Sequence, residues 1–451
     1  MGEMGSQAAR DRRSDSSSAA VGFVALYALI IMLPLIVSAL TVERNADSFI
    51  KELSLSFALV GFAILAMQPV MAARLRTITH HYGFDMVMRF HKAMAVVAVL
   101  LLLSHPILLA INAGSPRLLI SLEVSGIVWF GRIGLLLLLI MAIASIWQRR
   151  LLDFQRWRLG HNSAPIILVL VFVHSWILGY YVQDTPMQTL WVVLLGAAVV
   201  AYVMHKVVWP LRRKANLWNV RSVKQETHNA WTLEIEPPEG TEPLEYEPGQ
   251  FQFLTLYRGD DRYDGEEHHF TISSSPTSGP THTSTIKVAG DFTSTIGETK
   301  DGDKAMVQAP FGRFSYTLNE PGDRFLMIAG GIGITPLMSN LRHMRDVGLD
   351  VDVTLLYAND TEADIVFREE LDEIAAGEKP RFRVVHVLSE EDWDGRTGRV
   401  DRDLIADAVG DDLSRHMVYL CGPEDMMNEL MPVLEDMGVT PDRLYNERFW
   451  L

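Results

Sequence analysis

The sequence predicts three folds in succession: a six-helix transmembrane bundle, a small antiparallel β-barrel and an α/β nucleotide-binding domain. Three observations predict them. Apolar runs crowd residues 21–208 and cease after Leu211; short strand-like segments divided by Pro- and Gly-containing turns begin at Trp218; and from Asp323 strands alternate with helices. A single core rarely grows beyond about 250–300 residues, so a chain of 451 is expected to divide. The expected division is a disordered cytoplasmic tail over 1–20, the membrane domain over 21–210, the barrel over 215–320 and the α/β domain over 321–451.

Six segments have the roughly 17–25 apolar residues that cross a bilayer. They lie near 21–40, 54–73, 92–111, 126–147, 162–181 and 188–208. The first is too long for a signal-peptide core and no cleavage site follows it, so it reads as a span. Charge divides at the same place. Residues 1–214 carry 19 Lys/Arg against 10 Asp/Glu, whereas the remainder carries 21 against 45. Basic linkers (Arg74 to Lys92, Gln148 to Arg158, His205 to Lys214) alternate with loops poor in Lys and Arg. By the positive-inside rule both termini face the cytoplasm, in a multi-pass protein of the cell membrane. The acidic second half argues against nucleic acid as a partner. A lone cysteine, Cys421, excludes an intrachain disulfide, a Cys₄ zinc site and an iron–sulfur cluster.

Polar groups are costly in lipid, yet the third span carries His91 and His105 and the fifth carries His161 and His174. The spacings of 14 and 13 residues each climb about 20 Å along a helix. Spans three and five run in the same direction, so His91 is level with His161 near the cytoplasm and His105 with His174 nearer the outside. Two neutral imidazoles at each level suit six-coordinate haem iron. Zinc would require further ligands, and no Asp, Glu or Cys is read at these depths. Fourteen residues return to within about 40° of one helix face, but thirteen turn through about 220°. A kink at Pro165 is the expected remedy.

These two pairs resemble the ferric reductase and NADPH oxidase superfamily, and the resemblance extends over nearly the whole chain. It implies two b-type haems, one held by His91 and His161 and the other by His105 and His174. Arg74, Arg76, Arg89, Arg156 and Arg158 set topology, with one or two of them available to haem propionates. His80 and His81 match no ligand position.

The barrel segments include AWTLEIEP and GQFQFLTLY. Within the barrel, EHHFTISSSP (267–276) resembles the flavin-binding signature of the ferredoxin reductase family. By that match His268 faces the FAD pyrophosphate, Phe270 packs on flavin or ribityl and Thr271 reaches flavin N5. His269 replaces the usual proline. IKVAGDFTSTIG (286–297) resembles the second FAD segment, with Lys287, Gly290, Thr293 and Ser294 available to phosphate. QAPFGRF (308–314) is a further family landmark.

RFLMIAGGIGITPLMSNLRHM reads as strand, glycine turn and helix. Gly330, Gly331 and Gly333, followed by Thr335 and Pro336, resemble the family's nicotinamide-nucleotide loop. The strand VTLLYAND ends at Asn359 and Asp360, where the family's NADPH users commonly place an arginine. A carboxylate there bonds a free 2′-hydroxyl and repels a phosphate, which favours NADH slightly. Arg396 and Arg399 stand on a nearby loop. Cys421, Gly422 and Pro423 match the family's Cys-Gly-Pro motif, which sets the cysteine beside the nicotinamide. Read without the resemblance, Cys421 is a small apolar filler. In the C-terminal NERFWL, Phe449, or Trp450 next to it, resembles the aromatic residue that shields the flavin ring.

The resemblance thus implies an NAD(P)H oxidoreductase that passes electrons through FAD and two b haems to a one-electron acceptor outside, oxygen or a ferric chelate, with no proton-transfer triad. Oxidases of the family often carry another histidine one turn beyond the outer ligand; Leu109 stands there. Delivery to a quinone or a partner redox protein is the competing enzymatic reading, and a haem-containing membrane sensor the non-enzymatic one.

Overall fold

The computed structural model describes residues 2–41, 48–75, 82–152, 154–259 and 263–447. Phe449, Trp450, Arg76, His80 and His81 lie outside the described residues. The chain divides into two compact units, residues 15–210 and residues 211–451 together with 1–14.

In the membrane unit the spans are Val21–Thr41, Phe49–Ala72, Met86–Asn112, Gly126–Ile146, Phe154–Leu178 and Met187–Lys214. The helix of the first span starts at Gly2, inside the stretch expected as a tail, whose Gln, Ala and Arg content suits a helix. The second span is the hub: half of its apolar window is buried, against 11–22% for the other five. Its small residues permit close approach, because a Cβ on Gly61 would lie 2.8 Å from Leu102 Cγ of the third span. Gly134 serves the fourth and fifth spans in the same way, against Val171. Trp191 of the sixth span stacks on Phe62 at 4.7 Å and donates to Ser175 Oγ of the fifth at 2.8 Å, which satisfies its buried indole N–H.

The fifth span differs from expectation. It is two helices, Phe154–His161 and Ala164–Leu178, joined by a turn at Asn162 and Ser163. Pro165 lies at the start of the second helix, where its missing N–H costs no hydrogen bond. The chain therefore interrupts the helix before the proline instead of kinking after it. His161 and His174 sit on different helices, and phase arithmetic for one continuous helix does not govern them.

The other unit begins with an antiparallel sheet of β1 (Trp218–Thr227), β2 (Ala230–Glu236), β3 (Phe251–Tyr257), β4 (Glu267–Thr271), β5 (His282–Lys287) and β6 (Lys304–Phe311), in the order β4-β3-β6-β1-β2-β5. The two edge strands approach each other just past β4, where Ser273 N donates to Thr283 O at 2.8 Å. Val220, Leu233, Ile235, Leu254, Leu256 and Ile286 fill the interior. β4 pairs regularly with β3 through His269 opposite Phe253, so the residue replacing proline leaves the strand intact.

The second sheet is parallel, formed by β7 (Arg324–Gly330), β8 (Asp352–Asn359), β9 (Arg381–Leu388), β10 (Arg396–Thr397), β11 (Met417–Cys421) and β12 (Leu444–Glu447), in the order β10-β9-β8-β7-β11-β12. The chain leaves β7 towards β8 on one side and later returns to β11 on the other. That reversal makes the carboxyl ends of β7 and β11 the place where an open α/β sheet binds its ligand.

The helix Ile334–Asp346 ties the two sheets together. Ser339 Oγ accepts from Gly249 N at 3.0 Å and donates to Ser274 O at 2.6 Å. Asn340 bonds Phe314 O and Tyr316 N. Arg342 donates to Ser273 O at 2.6 Å and grips Glu370 with two nitrogens. Burial alone would raise the Glu370 carboxyl, but hydrogen bonds and charge from Arg342 and Arg345 outweigh it and hold the group below its usual range.

Candidate functional site

In the membrane unit the expected inner pair meets. The His91 and His161 rings lie 6.3 Å apart between centroids and 68° from parallel. His161 also stacks on Trp157 at 5.0 Å. The Nδ1 atoms of both histidines are buried and have no hydrogen-bond partner among the described residues. Such orphans are costly, so these two ring nitrogens want a partner that the described residues do not supply.

The outer histidines are held differently. His105 Nδ1 donates to Ser54 O at 3.1 Å, with Ser54 Oγ 2.9 Å away. Ser54 Oγ in turn donates to His105 O at 2.9 Å. His174 Nδ1 donates to Ile127 O at 3.1 Å, and its ring lies over Gly131, where a Cβ would approach to 2.8 Å. A proton fixed on Nδ1 by a carbonyl leaves the lone pair on Nε2, the tautomer a metal-ligating histidine adopts. Among the described residues no group of three or more His, Cys, Asp or Glu side chains could hold a metal ion. The donor set therefore fits paired imidazoles on haem iron better than a zinc cage.

Sequence reasoning missed Ser54 and Gly131, because each lies on a neighbouring span more than forty residues from its histidine. It also placed no carboxylate at these depths. Glu52 stands two residues before Ser54 and accepts a hydrogen bond from Tyr181.

On the flavin-type strand, His268 and Phe270 share a face and both stack on Phe292, at 4.0 and 6.2 Å. His268 Nε2 lies 3.2 Å from Glu266. Thr271 is 3% exposed, and its hydroxyl has no partner among the described residues. A buried hydroxyl in want of a partner fits a flavin hydrogen bond.

The second expected flavin segment is more self-contained. Lys287 forms an ion pair with Asp364 at 3.4 Å. Burial works against ionisation of Asp364, but bonds from Thr361, Lys287 and Asn229 hold its carboxyl below the usual range. Thr293 Oγ1 already accepts from Ala289 N and Gly290 N, and Ser294 Oγ donates to Asp291 O. What faces outward is Gly290, where an added Cβ would meet nothing within 4 Å.

At the carboxyl ends of β7 and β11 the two glycine loops pack against each other. A Cβ on Gly330 would meet Pro423 Cδ at 2.6 Å, one on Gly333 would meet Cys421 O at 2.3 Å, and one on Gly422 would meet Met426 Cε at 2.5 Å. These glycines are required by the protein's own packing. Gly331 is the exception: it has φ +51° and open space beside it, which leaves room for a ligand to approach the backbone. The following helix has no side-chain cap, and its N-terminal N–H groups suit an anion. Thr335 Oγ1 donates back to Ile332 O, and Pro336 O accepts from Asn340, so both shape the loop.

Cys421 is wholly buried among Phe314, Met327 and Tyr419. Burial, reinforced by the charge of Glu447, pushes its thiol well above the usual value, so the group stays protonated at neutral pH. Its packing is that of an apolar filler at the mouth of the crevice. Glu447, whose carboxylate lies near Gly312 as well, was not anticipated.

Asp360 is exposed at the end of β8 and accepts from Ser389 Oγ at 3.1 Å. Glu390 N donates to its carbonyl, and Glu391 accepts from Glu362 N nearby. Arg396 pairs with Asp407 at 2.9 Å and Arg399 with Glu429 at 3.5 Å. Each of these two arginines is therefore engaged with a carboxylate of its own.

Two family models match this chain: a ferric-reductase-like transmembrane component over residues 57–173 and an oxidoreductase NAD-binding domain over residues 327–431. The glycine betaine monooxygenase reductase subunit of Chromohalobacter salexigens is 32% identical over 246 residues, covering 51% of this chain and 64% of that protein. NADH-cytochrome b5 reductase 2 of Rattus norvegicus is 30% identical over 177 residues, covering 35% of this chain and 63% of that protein. The chain thus spans less than two thirds of the length of these relatives. Among solved structures, the flavohaem-like FAD/NAD-binding domain of nitric oxide dioxygenase from Vibrio cholerae O1 biovar El Tor matches with a TM-score of 0.46 and 23% identity, over 51% of this chain and 97% of that one. With a ferric-reductase-like membrane component matched ahead of an NAD-binding oxidoreductase module, and six helices among the described residues long and apolar enough to cross a membrane, the chain matches the arrangement of a ferric reductase and NADPH oxidase-type fusion.

Proposed function

We propose that the chain is an NAD(P)H oxidoreductase that carries electrons from cytoplasmic NAD(P)H through FAD and two b haems to a one-electron acceptor, oxygen or a ferric chelate, at the outer face of the plasma membrane. The observation that carries this reading is the state of the four intramembrane histidines. Two lie ring beside ring with an unsatisfied Nδ1 on each, and two have Nδ1 anchored so that Nε2 keeps its lone pair.

FAD supplies the exchange between two-electron hydride chemistry and one-electron transfer, and haem iron carries single electrons. The protein's own contribution is placement. His91, His161, His105 and His174 hold the two irons; Thr271 offers its hydroxyl to flavin N5; Gly331 and the helix N-terminus behind it admit the nucleotide phosphates. Both termini and the nucleotide-binding half face the cytoplasm, in line with the basic linkers.

The test is anaerobic addition of NADH to the purified full-length protein, followed by oxygen or a ferric chelate. The haem absorption bands are expected to shift to the reduced form and to return with either oxidant. Well-folded protein that yields no pyridine haemochrome ends this reading.

Thr271→Ala separates a ligand-facing hydroxyl from a structural one. The hydroxyl has no partner among the described residues, so its removal breaks no hydrogen bond there, and loss of the buried methyl with it lowers stability equally with and without FAD. The stabilisation conferred by FAD should fall by about 0.5–1.5 kcal/mol, and haem reduction by NADH should slow. Lower stability of the FAD-free variant, with FAD affinity and rate unchanged, would refute the assignment of Thr271.

A further inference from the structure

Three polar residues sit where the barrel's period-2 pattern calls for apolar ones. Gln252 shares a strand face with Leu254 and Leu256, and His282 and Ser284 share one with Ile286, all of which fill the interior. None of the three polar residues is more than 1% exposed. A chain retains such groups only when hydrogen bonds satisfy them, and departures from the apolar pattern concentrate at functional sites.

Their bonds form one chain that ends on Thr271. His282 Nε2 lies 2.9 Å from Gln252 Oε1. Gln252 Nε2 donates to Ser284 Oγ at 2.9 Å, and Ser284 Oγ donates to Thr271 O at 2.8 Å. The direction follows from the donors. Gln252 commits its amide nitrogen to Ser284, so its oxygen must accept, and His282 carries its proton on Nε2. Rotating the Gln252 amide would turn the Ser284 hydroxyl towards Gln252 and deprive Thr271 O of that donor. Trp218 packs edge-on against His282 at 5.2 Å and closes the far end. On the other side of the same peptide, Ile272 N donates to Gln250 O at 2.9 Å. The Thr271–Ile272 peptide is thereby held from both sides, while the Thr271 hydroxyl has no partner among the described residues to fix it.

We infer that His282, Gln252 and Ser284 form a one-directional hydrogen-bond relay that positions Thr271 from inside the barrel and keeps its hydroxyl aimed at the flavin. The inference rests on the reading that Thr271 faces FAD. The three are positioning residues, since each acts through Thr271. Aligned donors in a low-dielectric interior strengthen one another, so a break at any link loosens the last one.

The experiment uses full-length protein in detergent and compares Ser284→Val, which removes the hydroxyl, with Ser284→Thr, which keeps it. Three quantities are measured: FAD content on denaturation, the visible flavin spectrum, and the rate of flavin reduction by NADH. Ser284→Val is expected to retain FAD, to shift the flavin band and to slow reduction about fivefold at an unchanged KM for NADH, while Ser284→Thr restores the wild-type values. FAD-loaded Ser284→Val with wild-type spectrum and rate overturns the relay. Wild-type protein that binds no FAD overturns the underlying flavin assignment instead. If Ser284→Val fails to fold, Gln252→Met breaks the chain one link further back. The same spectral shift with a smaller slowing supports the relay, and wild-type behaviour of FAD-loaded Gln252→Met overturns it.

Discussion

His105→Leu will leave the chain with one haem in place of two and will stop electron delivery to any acceptor outside. The argument starts from tautomer. Ser54 O accepts from His105 Nδ1 and thereby leaves the lone pair on Nε2, the atom that would ligate iron on the proposed reading. Leucine fills similar volume in an apolar span, so the fold should survive, but His91, the other histidine of this span, lies 14 residues away and cannot replace the ligand. The neighbouring groups are the Ser54 hydroxyl and, two residues earlier, Glu52 engaged with Tyr181. His91 and His161 are untouched, so the inner haem should remain reducible by nucleotide. The measurements are pyridine haemochrome per polypeptide, expected to halve, and reduction of an external ferric chelate, expected to fall to background. Two haems retained in His105→Leu would show that His105 is not a ligand.

How much of this was readable before the structure depends on distance along the chain. The spans and the α/β pattern were legible because both are local: a run of apolar residues, or a strand running into a glycine turn and a helix. The histidine pairs were legible because each pair lies within one span. The way they are held was not, since Ser54 and Gly131 reach them across helices and nothing in LSLS or FGRIG marks either as special. The break before Pro165 was half legible: the proline signalled a disturbance, but whether a helix bends or restarts depends on tertiary packing. In the barrel, FQFLTLY reads as a strand, but nothing in it says that Gln252 is buried against partners on β5. Lys287 reads as a free cation until the fold brings Asp364 to it. Motif resemblance pointed to the glycine loops after β7 and β11, and the reversal of strand order there is a physical reason for an open α/β sheet to bind its ligand at that edge.

NADH should be used more efficiently than NADPH, by about one to two orders of magnitude in kcat/KM. The two nucleotides differ by a 2′-phosphate, and the end of β8 is where an open α/β sheet of this kind meets the ribose that bears it. Asp360 is exposed there, with Glu390 and Glu391 on the adjoining loop. The two arginines that follow β9 are each paired with a carboxylate, Arg396 of β10 with Asp407 and Arg399 with Glu429. A charge-assisted hydrogen bond contributes roughly 1.5–3 kcal/mol, and its absence corresponds to about a tenfold to hundredfold loss for NADPH. Because the site is exposed, added salt should narrow the gap by screening the carboxylates. Asp360→Arg reverses the sign of the nearest charge and should close most of the difference at low salt, chiefly through a lower KM for NADPH. The measurement is kcat/KM for both nucleotides in wild type and in Asp360→Arg, at low and high ionic strength. A wild-type preference for NADPH of tenfold or more would mean that a cation elsewhere meets the phosphate and that Asp360 does not face the ribose.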